Sequence, residues 1–131
     1  MTWGAVNEWT TQAGYSRLIQ RANHPVLTEL LGRVMRQEGS HIAFYMAQAQ
    51  ARLDANKRIQ HLVRKALRAF WAPVGSGIMP KEEVRFLINY LFGDADGLAG
   101  VDRIDRRIAG LPGLAGMSLV RRVVEEFAPA A

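Results

Sequence analysis

Met35-Arg36-Gln37-Glu38-Gly39-Ser40-His41-Ile42-Ala43-Phe44-Tyr45 is the stretch on which the fold reading turns. Glu38 and His41 are three residues apart, a spacing that puts both on one face of a helix. Leu27, Leu31, Val34, Ile42, Tyr45 and Met46 fall on or beside the same stripe. The pattern therefore predicts that the pair points into an apolar interface rather than into solvent. A carboxylate and an imidazole in that setting are costly unless something pairs with them. A metal ion is a partner that would satisfy both. Glu-x-x-His on a bundle helix is half of the ligand set of a di-metal carboxylate site. Without a metal, the same two residues would be a buried hydrogen-bonded pair.

Working outward, the pattern is helical almost throughout, and no segment alternates long enough to read as a strand. The spacing predicts a first helix from Thr2 or Trp3 to Ala22, with Glu8, Thr11 and Tyr15 along one polar line. Asn23-His24-Pro25 reads as a turn, with Pro25 suited to the first position of the next helix. That second helix is expected to run from Pro25 to Leu53. A third, from Asn56 to Trp71, carries Ile59, Leu62, Val63, Ala66, Leu67 and Phe70 as its apolar face. Pro73 to Gly77 reads as a loop. Further helices are expected from Pro80 to Phe92 (Val84, Leu87, Ile88 and Leu91 inward), from Leu98 to Ala109 and from Gly116 to Phe127. The expected class is all-α. Residues 1–55 would form a helical hairpin, and residues 56–131 a basic C-terminal helical part of the same domain.

At 131 residues the chain is long enough to bury one sizeable core. Its 49% hydrophobic content places it among globular rather than disordered chains. No apolar run reaches the length that spans a bilayer. The N-terminus has no basic flank or apolar stretch of a secretory signal. With no cysteine there is no disulfide framework and no thiol nucleophile. These features fit a cytoplasmic protein. A net charge of +5 favours acidic partners such as nucleic acid, anionic lipid or an acidic carrier protein. Nucleic acid is not expected, because no helix-turn-helix or stacking aromatic motif is evident.

Glu8 lies about as far before the turn as Glu38 lies after it. A short turn makes the two helices antiparallel neighbours, so Glu8 and Glu38 are expected at similar height. Oxygen-rich ligands with one imidazole per metal suit iron or manganese better than zinc or copper. Other candidates are weaker. Trp3, Trp9 and Trp71 read as core or interface anchors, His24 as a turn residue and His61 as part of a basic face. Gly75-Ser76-Gly77 lacks the pattern of a phosphate-binding loop. Asp94-Ala95-Asp96-Gly97 resembles the opening of a calcium loop, but Asp105 stands where the loop's final glutamate belongs. Arg52, Lys57, Arg58, Arg64, Lys65 and Arg68 form either a solvated face or a docking patch for an acidic partner.

Asn7-Glu8-Trp9-Thr10-Thr11, Tyr15, His24-Pro25-Val26-Leu27, Gln37-Glu38-Gly39-Ser40-His41 and Phe44-Tyr45 together resemble the second half of a ferritin-like di-iron protein. The stretch from Trp3 to Leu53 is most similar to the soluble acyl-acyl-carrier-protein desaturases and related actinobacterial ferritin-like proteins. The resemblance implies a ferritin-like bundle, here a half-bundle hairpin plus C-terminal helices, and a di-iron oxidoreductase that oxidises an acyl chain with oxygen. It implies Glu8 as a terminal carboxylate ligand, Glu38 as a bridging carboxylate and His41 as the nitrogen ligand. It also places Thr11 beside the oxygen-binding side of the metals, as the catalytic candidate. Read from the residues alone, Thr11 and Tyr15 are packing or hydrogen-bonding residues. The implied partners are acyl carrier protein and an electron donor. No flavin or nicotinamide fingerprint is present.

The family needs two glutamates and two Glu-x-x-His motifs, and this chain has one of each. His24 and His61 follow Arg21 and Arg58 at the required spacing, so neither supplies the second motif. Either the chain is a C-terminal fragment or a truncated form of such a bundle, or two copies pair about a two-fold axis and complete the site. Two other functions fit the same residues: a non-catalytic helical module that binds an acidic partner, and an iron oxidation or storage protein.

Overall fold

The computed structural model describes residues 1–128; residues 129–131, the end of the expected C-terminal part, lie outside the described residues. The described residues form an all-α helical bundle of six helices: α1 (Thr2–Ala22), α2 (Pro25–Asp54), α3 (Lys57–Phe70), α4 (Lys81–Phe92), α5 (Ala95–Ala109) and α6 (Leu119–Glu126). Local chemistry sets the boundaries. Asn23 adopts the left-handed conformation and returns its N–H to the Ile19 carbonyl, closing α1. Extended His24 and then Pro25 start α2 at once. Asn56 caps α3 through the N–H groups of Arg58 and Ile59. Asp94 caps α5 through the Gly97 N–H at 2.8 Å. The calcium-loop reading of Asp94 to Gly97 is thus replaced by a helix cap, which also pairs with Arg17 and Arg21.

α1 is the centre of the molecule. It packs against α2 on one side and against α4 and α5 on the others, while α6 closes over α4 and α5. Val6 and Trp9 from α1 meet Ile88, Val101, Ile104, Ile108, Leu114 and Val123 in one core. Trp71 is buried beside them and donates its indole N–H to Asn7 Oδ1 at 3.0 Å. Gly4 lets α1 and α2 approach closely, because a Cβ there would stand 2.8 Å from the Tyr45 ring.

Two apolar faces differ from expectation. α2 buries only Leu31, Ala49 and Leu53, and His41, Phe44 and Met46 are exposed. On α3 only Leu67 is buried, while Ile59, Leu62 and Phe70 face solvent. The reason is the same in both. α2 has α1 for a neighbour along its length and meets α3 at its end, so part of each amphipathic stripe is left uncovered among the described residues. Leu87 of α4 is likewise exposed rather than inward.

The turn between α5 and α6 is held by Gly113, at φ 79°. A Cβ at Gly113 would overlap the side chain of Gln60, which is pinned by its own bond to the Leu53 carbonyl at 2.9 Å. Gly113→Ala combines left-handed strain with that overlap, and is expected to cost about 2 kcal/mol of stability. Urea denaturation of the variant checks this.

Candidate metal centre

Glu8 comes from α1, and Glu38 and His41 come from α2, three residues apart. Antiparallel packing brings them to one height, where one ligand atom from each lies within 4.8 Å of the others. This is the one such group of three among the described residues. His41 Nδ1 and Glu38 Oε2 are 2.7 Å apart. Glu8 is half-buried between the helices, the Glu38 side chain is 28% exposed and that of His41 62%. The imidazole therefore stands at the rim, on the side of α2 that carries exposed Val26, Leu30 and Phe44.

The two carboxylates of the centre oppose one another. The Glu8 carboxyl is held above its ordinary value of 4.5, first by burial and then by the Glu38 charge, with His41 acting in the opposite sense. A hydrogen bond shared with Glu38 pushes it in the same upward direction. Two carboxylates that oppose one another's charge, beside an imidazole, are a donor set that a divalent cation would relieve. The oxygen-rich chemistry suits iron or manganese. In the metal-free chain the sign follows directly. Folded Glu8 holds its proton more tightly than unfolded Glu8 does, so stability falls as pH rises from the ordinary carboxylate range through the raised value. Glu8→Gln is expected to remove that slope, as measured by urea midpoints across pH.

Thr11, one turn further along α1, is not in this group. It lines an apolar groove of about 300 Å³ between α1 and α4, together with Tyr15, Leu18, Leu87 and Leu91. Thr10 lines the same groove but folds its hydroxyl back onto the Asn7 carbonyl at 2.8 Å. His24 and His61 stand outside the metal-ligating group. Sequence reading missed two supports. Gln12, one turn after Glu8, donates to the Met35 carbonyl at 3.1 Å and ties α1 to α2. Tyr45, one turn after His41, lies against Gly4. A glycine one turn before a candidate ligand was the available signal for that close approach. Arg52, Lys57, Arg58, Lys65 and Arg68 of the basic patch are exposed, whereas Arg64 is drawn onto the Ala115 carbonyl at 2.9 Å.

Comparison with protein-family models, with curated proteins and with solved structures finds no match. Among the described residues no helix is long and apolar enough to cross a membrane.

Proposed function

We propose that this chain is half of a ferritin-like di-iron oxidoreductase of the acyl-carrier-protein desaturase type, completed by a second copy of itself. The observation that carries the reading is the convergence of Glu8, Glu38 and His41 from facing helices to within 4.8 Å. Iron bound there would supply the redox chemistry for oxygen-dependent oxidation of an acyl chain, with manganese the alternative metal. Glu8 and Glu38 would hold it by oxygen and His41 by nitrogen. Electrons would come from a separate donor, and the acyl chain would arrive on acyl carrier protein.

Two further observations support the reading. The apolar groove at Thr11 begins one turn from Glu8 and has the volume and lining for a hydrocarbon segment. Thr11 would sit between that groove and the metals, where its hydroxyl could orient a reacting group. The bare side of α2 carries Val26, Leu30 and Phe44 beside His41. Pairing that side with its copy about a two-fold axis would bury it and bring a second Glu, Glu-x-x-His set to the same place.

Anaerobic reconstitution with ferrous iron, read as iron per chain together with molar mass in solution, tests this. About one iron per chain in a dimer is the expected result. A chain that binds no iron overturns the reading. A metal-loaded monomer overturns the pairing.

A further inference from the structure

The segment from α3 through the turn before α4 is unlike the rest of the chain. Between Asp54 and Glu82 there is no carboxylate, and the cations are Lys57, Arg58, Arg64, Lys65, Arg68 and Lys81. Within α3 the apolar residues divide between two sectors. Leu67 is buried, and Val63 is half-buried against the core. Ile59, Leu62 and Phe70, at spacings of three and eight, form a second sector that is exposed. Arg58 and Lys65 flank it and are exposed. The turn that follows is tight: the N–H groups of Ile78 and Met79 both bond to the Gly75 carbonyl, at 3.1 and 3.0 Å. It holds Ile78 at the tip, 91% exposed, with Val74 four residues earlier also exposed and Phe70 74% exposed at the end of α3. Arg68, Lys81 and Arg122 line the groove beneath that turn, with Glu126 the acidic residue in its lining.

We infer that this segment docks the protein on an anionic lipid surface, with Leu62, Phe70 and Ile78 entering the headgroup layer and the flanking lysines and arginines lying over the phosphates. A short helix with a strongly basic face, low overall hydrophobicity and Leu and Phe on its other side matches the design of an interfacial helix. Charge complementarity selects the occupant. Each cation near an anionic membrane surface adds attraction there, and no carboxylate in the segment opposes it. The shape of the apolar groups separates lipid from an acidic protein or nucleic acid. Ile78 protrudes from a hydrogen-bonded turn, and a protruding side chain is buried most readily by a medium that flows around it. Nucleic acid would leave Leu62 and Ile78 in water. The inference is independent of the metal centre, since it uses none of Glu8, Glu38 and His41.

The test uses the full chain and vesicles of phosphatidylcholine, alone or mixed with an equal amount of phosphatidylglycerol. Co-sedimentation is expected with the mixed vesicles only, and weaker as salt rises. Lys65→Gln is expected to lower partitioning about fivefold, and Ile78→Ser or Phe70→Ser about tenfold each. All three residues are exposed, so these variants should keep the helical signal of the parent. The chain has no cysteine, so Ile78→Cys carries a single environment-sensitive fluorophore, whose emission is expected to shift to the blue on the mixed vesicles. No binding to the mixed vesicles overturns the inference. So does binding in which Ile78→Ser and Phe70→Ser have no effect and the label stays in water, since that is adsorption by charge alone. Equal binding to an acidic polypeptide, without preference for vesicles, assigns the face to a protein partner and overturns it too.

Discussion

His41→Ala is expected to abolish stable ferrous iron binding while leaving the fold intact. His41 is the sole nitrogen donor of the group and stands at its rim, 62% exposed. Truncating it removes almost no packing, so helical content and urea midpoint should change little. Its loss leaves Glu8 and Glu38 alone, a set with two oxygen donors and no imidazole. Loss of a supporting partner alone typically costs about 10–100-fold in metal affinity, and loss of a direct ligand should exceed that. A thermal readout separates binding from folding. Ferrous iron at about 100 times its dissociation constant stabilises a protein by about 2.7 kcal/mol, so melting of the parent should rise with iron. Melting of His41→Ala should not. Glu38→Ala should behave in the same way for metal, and should also let Glu8 ionise more easily, because the neighbouring charge that opposes it is gone. An alanine variant that retains iron would mean that these side chains are an ion-paired cluster and nothing more.

The convergence on which that result depends was legible in the sequence because helical geometry is simple. The turn at Asn23 to Pro25 fixes two antiparallel helices, and similar distances from the turn put Glu8 opposite Glu38. The all-α class and the bounds of α1 and α2 follow from the same periodicity. What the pattern could not give is the neighbour. An amphipathic stripe says which residues share a face but not whether anything covers it, which is why Ile59, Leu62 and Phe70 were expected inside and stand outside. The face of Glu38 and His41 was read as apolar for the same reason, and it is half open. Local hydrogen bonding explains two shifted boundaries. The fifth helix was expected from Leu98, yet the Asp94 side chain captures the Gly97 N–H and starts α5 at Ala95. The last helix was expected from Gly116, but successive turns closed by Leu114 N–H to Leu111 O and Met117 N–H to Leu114 O delay it to Leu119. The groove at Thr11 could not be read at all, because its far wall comes from α4, far along the chain.

Asp105→Ala is expected to be strongly destabilising. Asp105 lies on α5 and is 7% exposed. Its Oδ1 accepts the N–H groups of Leu119 at 3.0 Å and Val120 at 2.9 Å, and its Oδ2 accepts that of Arg121 at 2.9 Å. These are the first amides of α6, which a helix cannot satisfy itself. Ser118 precedes them without a side-chain cap bond, so Asp105 caps α6 from a different helix. A negative charge at that end also complements the helix dipole. α6 is eight residues long, too short to hold together alone, and it brings Leu119, Val120, Val123 and Val124 into the core. Removing the carboxylate strands three amide donors, two of them in buried bonds, at about 1–3 kcal/mol for each that water cannot reach. The expected loss is about 4 kcal/mol, comparable with the whole stability of a marginal domain. Asp105→Asn keeps one acceptor oxygen but turns an amide N–H₂ toward the remaining donors, so it should recover only part of the loss. Guanidinium denaturation of the parent and both variants decides the point. A loss below about 1 kcal/mol in Asp105→Ala would mean that α6 is held by its valines alone and that its amides find water once the carboxylate is gone.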